Sequence, residues 1–182
     1  MRKHNWMVLG FLSILCACGG GGGSAGTETT PPPTASTVVL AANDLGMHCM
    51  DREFSIFSIL PPFNVVIAQV LGHDANGSPV LLDDLDVDCR YDAVTDASGS
   101  INSYSRGKTD FWSYANSIFG ANLVNGEGLT GIFMPADDPQ DRGAQPMEYN
   151  LALDGFKAEG IPITPVDDGN SSNPYPLMEV TA

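Results

Sequence analysis

The residues with the strongest potential for chemistry lie in one short stretch, Met47-His48-Cys49-Met50. A thiolate, an imidazole and thioether sulfurs form a ligand set that suits Cu(I) or a copper electron-transfer site. Because neighbouring strand residues face opposite ways, His48 and Cys49 would share a metal only in a loop. The first interpretation is therefore a copper site formed by Met47, His48 and Cys49, with His73 as a second imidazole.

Cys49 and Cys89 support a different interpretation. Apart from the cysteines of the N-terminal export segment described below, they are the only two in the chain. In an oxidising compartment, two remaining cysteines favour a disulfide. Closing a loop of roughly 40 residues would stabilise the fold by about 4 kcal/mol. A disulfide would remove Cys49 from any copper site, and we favour it over the metal.

Two acidic segments could supply oxygen ligands to Ca²⁺, at residues 83–86 and 167–173. Four residues of the second segment and beyond fit the offsets of an EF-hand loop, namely Asp168, Asn170, Ser172 and Glu179. However, Asn173 stands where that loop requires glycine, and Pro174 opposes the helix that should follow. Ordinary turns are therefore the main expectation here, with calcium as the alternative.

Other catalytic patterns are weak. The segment Gly126-Glu-Gly-Leu-Thr-Gly131 matches the glycine spacing of a dinucleotide-binding turn, but Pro135 follows where a helix is needed, so we predict a simple turn. The chain has no His-Glu-x-x-His, no phosphate loop and no Cys-x-x-Cys-His. A carboxylate-based hydrolase has only the abundance of aspartate in its favour. We expect a protein without catalysis and without a resident cofactor, unless it binds copper or calcium.

The N-terminus has the organisation of a secretory signal. Two basic residues, Arg2 and Lys3, precede an apolar stretch at residues 6–15. Ten residues are too few to span a bilayer, which needs about 20. This segment therefore indicates export.

The next residues, Leu15-Cys16-Ala17-Cys18, resemble the lipobox of bacterial lipoproteins. The resemblance implies cleavage after Ala17 and a lipid on Cys18, so that the membrane becomes a partner through the anchor. Gly19 follows the anchor, and the enterobacterial sorting rule then favours the outer membrane of the cell envelope. We predict a signal at residues 1–17, a Gly- and Pro-rich tether at 18–36 and a globular domain at 37–182.

The charge balance excludes one class of partner. The chain has 8 Lys and Arg against 22 Asp and Glu, for a net charge of −14. Removal of the signal takes away two basic residues, which leaves 6 − 22 = −16. Nucleic acid is therefore not an expected partner, because phosphate binding needs a basic face. At 43% hydrophobic residues, the chain can still bury a core.

Short runs separated by Gly and Pro predict a mainly β fold. The one predicted helix lies near 110–119, with Asp110 as its N-cap and Gly120 at its C-terminal end. We expect a single β-sandwich-like or partial-barrel domain. The predicted strands are residues 37–42, 54–60, 64–71, 80–82, 87–94, 147–153, 156–161 and 177–181.

Three segments, Leu45-Gly-Met-His-Cys49, Ile59-Leu-Pro-Pro-Phe-Asn64 and Ala68-Gln-Val70, resemble a domain of exported bacterial proteins. Some of its members continue into multihaem cytochrome segments. The resemblance implies an extracytoplasmic location and assigns no activity. We interpret the chain as a lipid-anchored binding or accessory module, with an exported protein as a candidate partner. The alternative is a copper-binding or redox-accessory lipoprotein associated with extracytoplasmic electron transfer.

Overall fold

The computed structural model describes residues 37–44, 52–56, 61–138 and 143–182, and this part of the chain is mainly β with one short helix. The predicted fold class is confirmed. The elements in chain order are β1 (Val38–Asn43), β2 (Asn64–His73), β3 (Pro79–Leu82), β4 (Arg90–Val94), α1 (Phe111–Phe119), β5 (Gln145–Pro146), β6 (Glu148–Asn150), β7 (Gly155–Ile161) and β8 (Leu177–Thr181).

The strands form two antiparallel sheets that share one core. Sheet A has the order β1-β2-β7-β6, with β3 also pairing with β2, and sheet B has the order β5-β4-β8. Side chains from both sheets meet in the main hydrophobic cluster, including Val70 of β2, Phe156 of β7 and Tyr91 of β4. This is the layered arrangement of a sandwich, in which each sheet buries one face against the other.

Strand β2 is the central element of sheet A. It pairs with β1 along one side, and with β7 and then β3 along the other. Because side chains alternate along a strand, Val66, Ala68 and Val70 point into the core. Ile67 and Leu71 lie on the opposite face of the sheet and are half-buried. The strand is therefore apolar on both faces.

Helix α1 packs its aromatic side chains into a second, smaller cluster. The fully buried ring of Phe111 contacts three other rings edge-on, with centroid distances of 5.1 Å to Phe54, 5.3 Å to Phe63 and 5.5 Å to Trp112. Such edge-to-face pairs stabilise aromatic clusters beyond their area burial. The predicted helix is thus confirmed, with Phe111 at the centre of its aromatic contacts.

The ends of α1 follow the prediction only in part. Gly120 adopts a left-handed conformation with φ of 71°, and its N–H donates to the carbonyl of Asn116, as expected for a C-terminal glycine. Asp110 does not cap the helix with its side chain. Its carboxylate instead accepts a 2.6 Å hydrogen bond from the N–H of Phe54, so the predicted cap was wrong. This hydrogen bond to Phe54 holds residues 52–56 against the start of α1.

Three predicted strands differ in the structure. The predicted strand 147–153 is shortened to β6, because a turn occupies residues 151–154. The described part of the predicted strand 54–60, residues 54–56, is not in a strand, and residues 57–60 lie outside the described ranges. The predicted strand 87–94 is shortened to β4, because a turn occupies the preceding segment. There the N–H groups of Asp86 and Val87 both donate to the carbonyl of Asp83. Where the structure describes the chain, no helix is long and apolar enough to cross a membrane.

Three loops share one aspartate-based turn, which the sequence analysis did not identify. Residues 74–78, 96–100 and 167–171 each begin with Asp and end with Ser. In every case the backbone N–H of the first residue donates to the carbonyl of the last. The Asp carboxylate in turn accepts from the N–H of that Ser, at 2.7 to 3.0 Å. The fourth residue has positive φ in all three loops, with Gly77 at 80°, Gly99 at 87° and Asn170 at 66°.

The glycine-rich segment 126–131 is a turn, as predicted, and it packs against β7. A Cβ atom placed on Gly128 would lie 1.9 Å from the carbonyl oxygen of Gly160. The hydroxyl of Thr130 donates to the carbonyl of Glu159 beside this contact. Gly128 is therefore required for close backbone approach.

Replacing Gly128 with Ala should destabilise the domain, because the added methyl must displace a backbone carbonyl. We expect a loss of about 1–3 kcal/mol in the free energy of unfolding, measured by chemical denaturation. Gly169→Ala is the matched control, since a Cβ there meets only Asp167 Oδ1 at an ordinary 3.4 Å. The control should stay within about 0.5 kcal/mol of the wild type. Equal stability of the two variants would contradict the packing described for Gly128.

Candidate functional site

The predicted copper ligands lie mostly outside the structure. Met47, His48 and Cys49 fall in residues 45–51, which are not among the described ranges. His73 is the last residue of β2, where it pairs with Pro79 and is exposed. Within the described segments, no three His, Cys, Asp or Glu side chains come together as a metal site. The copper interpretation therefore stays a prediction.

The predicted disulfide is not present in the structure, where Cys89 is a free cysteine. Its side chain is 1% exposed and belongs to the main core, on the same strand face as Tyr91. The thiol Sγ lies 3.7 Å from the thioether Sδ of Met147. Burial raises the pKa of the Cys89 thiol to about 11, and the neighbouring Asp88 carboxylate adds to this rise. Cys89 is thus a protonated core residue in the structure. Its predicted partner Cys49 lies outside the described residues, so the disulfide gains no support here and stays a prediction.

The ammonium of Lys108 is a buried charge, because its side chain is only 4% exposed. Its Nζ lies 2.7 Å from Asp168 Oδ1 and 2.8 Å from Asn102 Oδ1. It also lies 4.0 Å from the ring centroid of Tyr104. Asn102 passes the network on by donating to the carbonyl of Thr164. These contacts join the segment before α1 to the chain that follows β7.

The pKa values follow from this burial. Desolvation lowers the pKa of Lys108, although Asp168 opposes the effect. Burial also acts to raise the pKa of Asp168, but hydrogen bonds from Lys108 and Ser103 outweigh it and hold that pKa below its usual value. Both groups are therefore an internal ion pair rather than exposed acid–base groups.

This pairing also corrects the calcium interpretation of residues 167–173. Asp168 is bound to Lys108 and Ser103, and Asp167 accepts hydrogen bonds from Ser100 and Ser171. Glu179 lies on β8 and pairs with β4, so the predicted ligand offsets do not form one site. In the other acidic segment, the Asp83 carboxylate accepts from the N–H of Leu85. Both segments are turns stabilised by their own carboxylates.

An exposed apolar surface is the clearest candidate for contact with another molecule. We call it the outer apolar surface, and it consists of Val38, Leu40, Ile67, Leu71, Leu81 and Leu153. The register places Val38, Leu71 and Leu81 side by side across β1, β2 and β3. Leu40 is 57% exposed and Val38 is 50% exposed. A contiguous patch of this kind is typical of an interaction site.

A groove of about 560 Å³ runs along this surface between β1, β2 and the turn after β6. Leu40, Ile67 and Leu153 line it, and Gln69 spans it with a 3.3 Å hydrogen bond from its amide to the carbonyl of Leu153. A groove with apolar walls and one polar group suits an apolar side chain or an extended segment.

The sequence predicts strand β2 but does not predict this surface. A run such as Val65-Val-Ile-Ala-Gln-Val-Leu71 is expected when both faces of a strand are covered. Among the residues that the structure describes, sheet B and the loops cover only the inner face. The sequence feature that could have indicated this surface is the absence of charged residues in β1, which pairs with a strand that is apolar on both faces. The outer face of an exposed sheet is normally polar.

Comparison with known proteins adds no relative: no protein-family model, no curated protein and no solved structure matches the chain. The function must therefore be inferred from the residues of this chain alone.

Loss of the Lys108 ammonium should leave Asp168 without its cation. We expect Lys108→Met to lower the free energy of unfolding by about 3 kcal/mol near pH 7. The pKa of Asp168 is lower in the folded state, so its stabilisation exists above the unfolded pKa of about 3.9 and disappears as the pH falls through the folded value. The cost of the substitution should therefore shrink below about pH 4, as urea unfolding at several pH values will measure.

Lys157→Met is the matched control, because Lys157 forms a 2.9 Å ion pair with Glu159 that is more exposed, with side chains 25% and 57% accessible. Its removal should cost less than about 1 kcal/mol. A Lys108→Met protein as stable as this control would contradict the role of the buried pair.

Proposed function

We propose that the protein is a lipid-anchored module of the bacterial cell envelope that binds another exported protein through its outer apolar surface and catalyses no reaction. The lipobox-like residues at Cys18 support the anchor, and Gly19 supports the outer membrane. The observation that carries the binding role is the exposure of Leu40 and its neighbours over a groove on an otherwise acidic domain.

The geometry favours a protein partner over a small polar ligand. Apart from the amide of Gln69, the groove is lined by backbone and aliphatic side chains, with no charged group among its residues. A basic ligand would be drawn to the acidic turns instead. An extended apolar segment would gain burial against Leu40 and Ile67 and could hydrogen-bond to the edge strand β1.

The test places a photo-cross-linking amino acid at Leu40 in the full chain within intact cell envelopes. Leu85 is the matched control position, because it is a leucine with 91% exposure outside the groove. We expect a discrete adduct from position 40 and none from position 85. Cys18→Ala should release the chain from the membrane or block its processing, and with it the adduct. Equal labelling at both positions would refute a binding role for this surface.

Copper binding is the second candidate, and the free Cys89 thiol favours it. If Cys89 stays the free thiol that the structure gives, Cys49 would be open to bind copper. The candidate ligands stay Met47, His48 and Cys49, with His73. A thiolate bound to Cu(II) should absorb strongly in the visible region, with about one copper per chain, and His48→Ala should lose the metal without unfolding. A domain that is colourless and copper-free after copper challenge and desalting would refute this candidate.

A further inference from the structure

We infer that the open edge of β1 pairs with β1 of a second copy of this chain, joining two copies of sheet A into one continuous sheet. The inference rests on the proposed function, because it names the partner for the outer apolar surface. The alternative occupant, a strand of a different exported protein, is an outcome of the test.

The edge of β1 has backbone groups available for pairing. Asp44 donates its N–H to the carbonyl of Val65, which fixes the phase of hydrogen bonding between β1 and β2. Hydrogen-bonded residues alternate along an antiparallel pair. The backbone N–H and C=O groups of Leu40 and Ala42 therefore point toward β2, whereas those of Val39 and Ala41 point away from it. Within the described part of the chain, no strand pairs with that side of β1.

The strand lacks the features that normally protect an edge. Its sequence, Val38-Val-Leu-Ala-Ala-Asn43, contains no charged residue and no proline. Natural edge strands are usually blocked by Lys, Pro or a bulge, because exposed backbone groups otherwise recruit another strand. An apolar, regular edge of six residues is therefore a pairing site.

Two apolar grooves beside the edge define what the added strand must be. The outer groove contains Leu40 and Leu153. A second cavity of about 260 Å³ lies at the inner side, between β1 and β8, and its lining includes Ala41, Ile163 and Met178. Because side chains alternate along a strand, the occupant must be apolar on both faces.

A second β1 meets this requirement. Its Val39 and Ala41 would point toward the inner cavity, and its Leu40 would lie over the outer surface. It also brings no carboxylate to the contact, which matters because each anchored chain has a net charge of 6 − 22 = −16 and copies repel elsewhere. Anchoring on one membrane through Cys18 would raise the effective concentration of the two copies.

The pairing has a symmetric register. A two-fold axis at Leu40 places Val39 of each copy opposite Ala41 of the other, where they exchange backbone hydrogen bonds. The two Leu40 side chains then lie directly opposite each other as a non-hydrogen-bonded pair. Their Cβ atoms would be about 4.5–5.5 Å apart, which is close to the separation that a disulfide bridges.

The experiment uses Leu40→Cys in the full chain, oxidised mildly in intact envelopes. We expect a disulfide-linked species of twice the chain mass that reduction reverses. Leu85→Cys is the matched control, and the wild type controls for the native cysteines; both should stay monomeric. Adding Ala41→Pro removes an N–H that the pairing needs, at an edge position where proline is tolerated. It should reduce the Leu40→Cys dimer at least tenfold while the melting temperature stays within a few degrees.

Each other result overturns the inference. Equal amounts of disulfide-linked dimer from Leu40→Cys and Leu85→Cys would show that the copies meet by random collision. A dimer that persists in the Ala41→Pro variant would show contact without strand pairing. If photo-cross-linking at Leu40 instead captures a different exported protein, the proposed binding function stands and the second copy is wrong. If neither method gives an adduct at position 40, both the function and the inference fail.

Discussion

The two-sided apolar character of β2 is the constraint on which the rest of the structure depends. This strand pairs with β1, β3 and β7, so it sets the register of most of sheet A. Its inner residues, such as Val70, close the core with sheet B. Its outer residues, such as Ile67 and Leu71, need cover that the described part of the chain supplies only partly. The exposed surface and the open β1 edge both follow from this arrangement.

The polar interior has a complementary role. The ion pair of Lys108 and Asp168 joins two loop regions that contain no named helix or strand, one between β4 and α1 and the other between β7 and β8. The repeated Asp turns at Asp74, Asp96 and Asp167 satisfy their backbone groups with their own carboxylates. Much of the acidic composition therefore shapes loops. The strands that form the candidate binding surface, β1, β2 and β3, contain no Asp, Glu, Lys or Arg.

Local patterns predicted the local elements well. Helix α1, the strands β1, β2, β7 and β8, and the turn at residues 126–131 follow from periodicity and from Gly and Pro positions. Contacts between segments that are distant in sequence could not be predicted in the same way. The carboxylate of Asp110 could accept a hydrogen bond either from the N-terminus of α1 or from the N–H of Phe54. Its bond to Phe54 depends on how residues 52–56 pack against the helix.

The candidate site could be predicted from the sequence less well than the helix and the strands. Cysteine number alone favoured a disulfide for Cys89, whereas its inward position beside Met147 buries the thiol. Acidic spacing near Asp168 gave no information about Lys108, which lies 60 positions away in sequence. An exposed sheet face depends on which strands become neighbours, and that is a property of long-range pairing. The lipobox-like segment and residues 45–51 lie outside the described residues and stay predictions.

The central claim is that the β1 edge is a site of strand pairing, and amide hydrogen exchange tests it most directly. In the structure, Leu40 and Ala42 hydrogen-bond to β2, whereas the N–H groups of Val39 and Ala41 point outward. We predict that Val39 and Ala41 exchange slowly in the membrane-anchored protein and rapidly in the dilute Cys18→Ala chain, while Leu40 and Ala42 are protected in both. Rapid exchange at Val39 and Ala41 in the membrane-anchored protein would contradict the account.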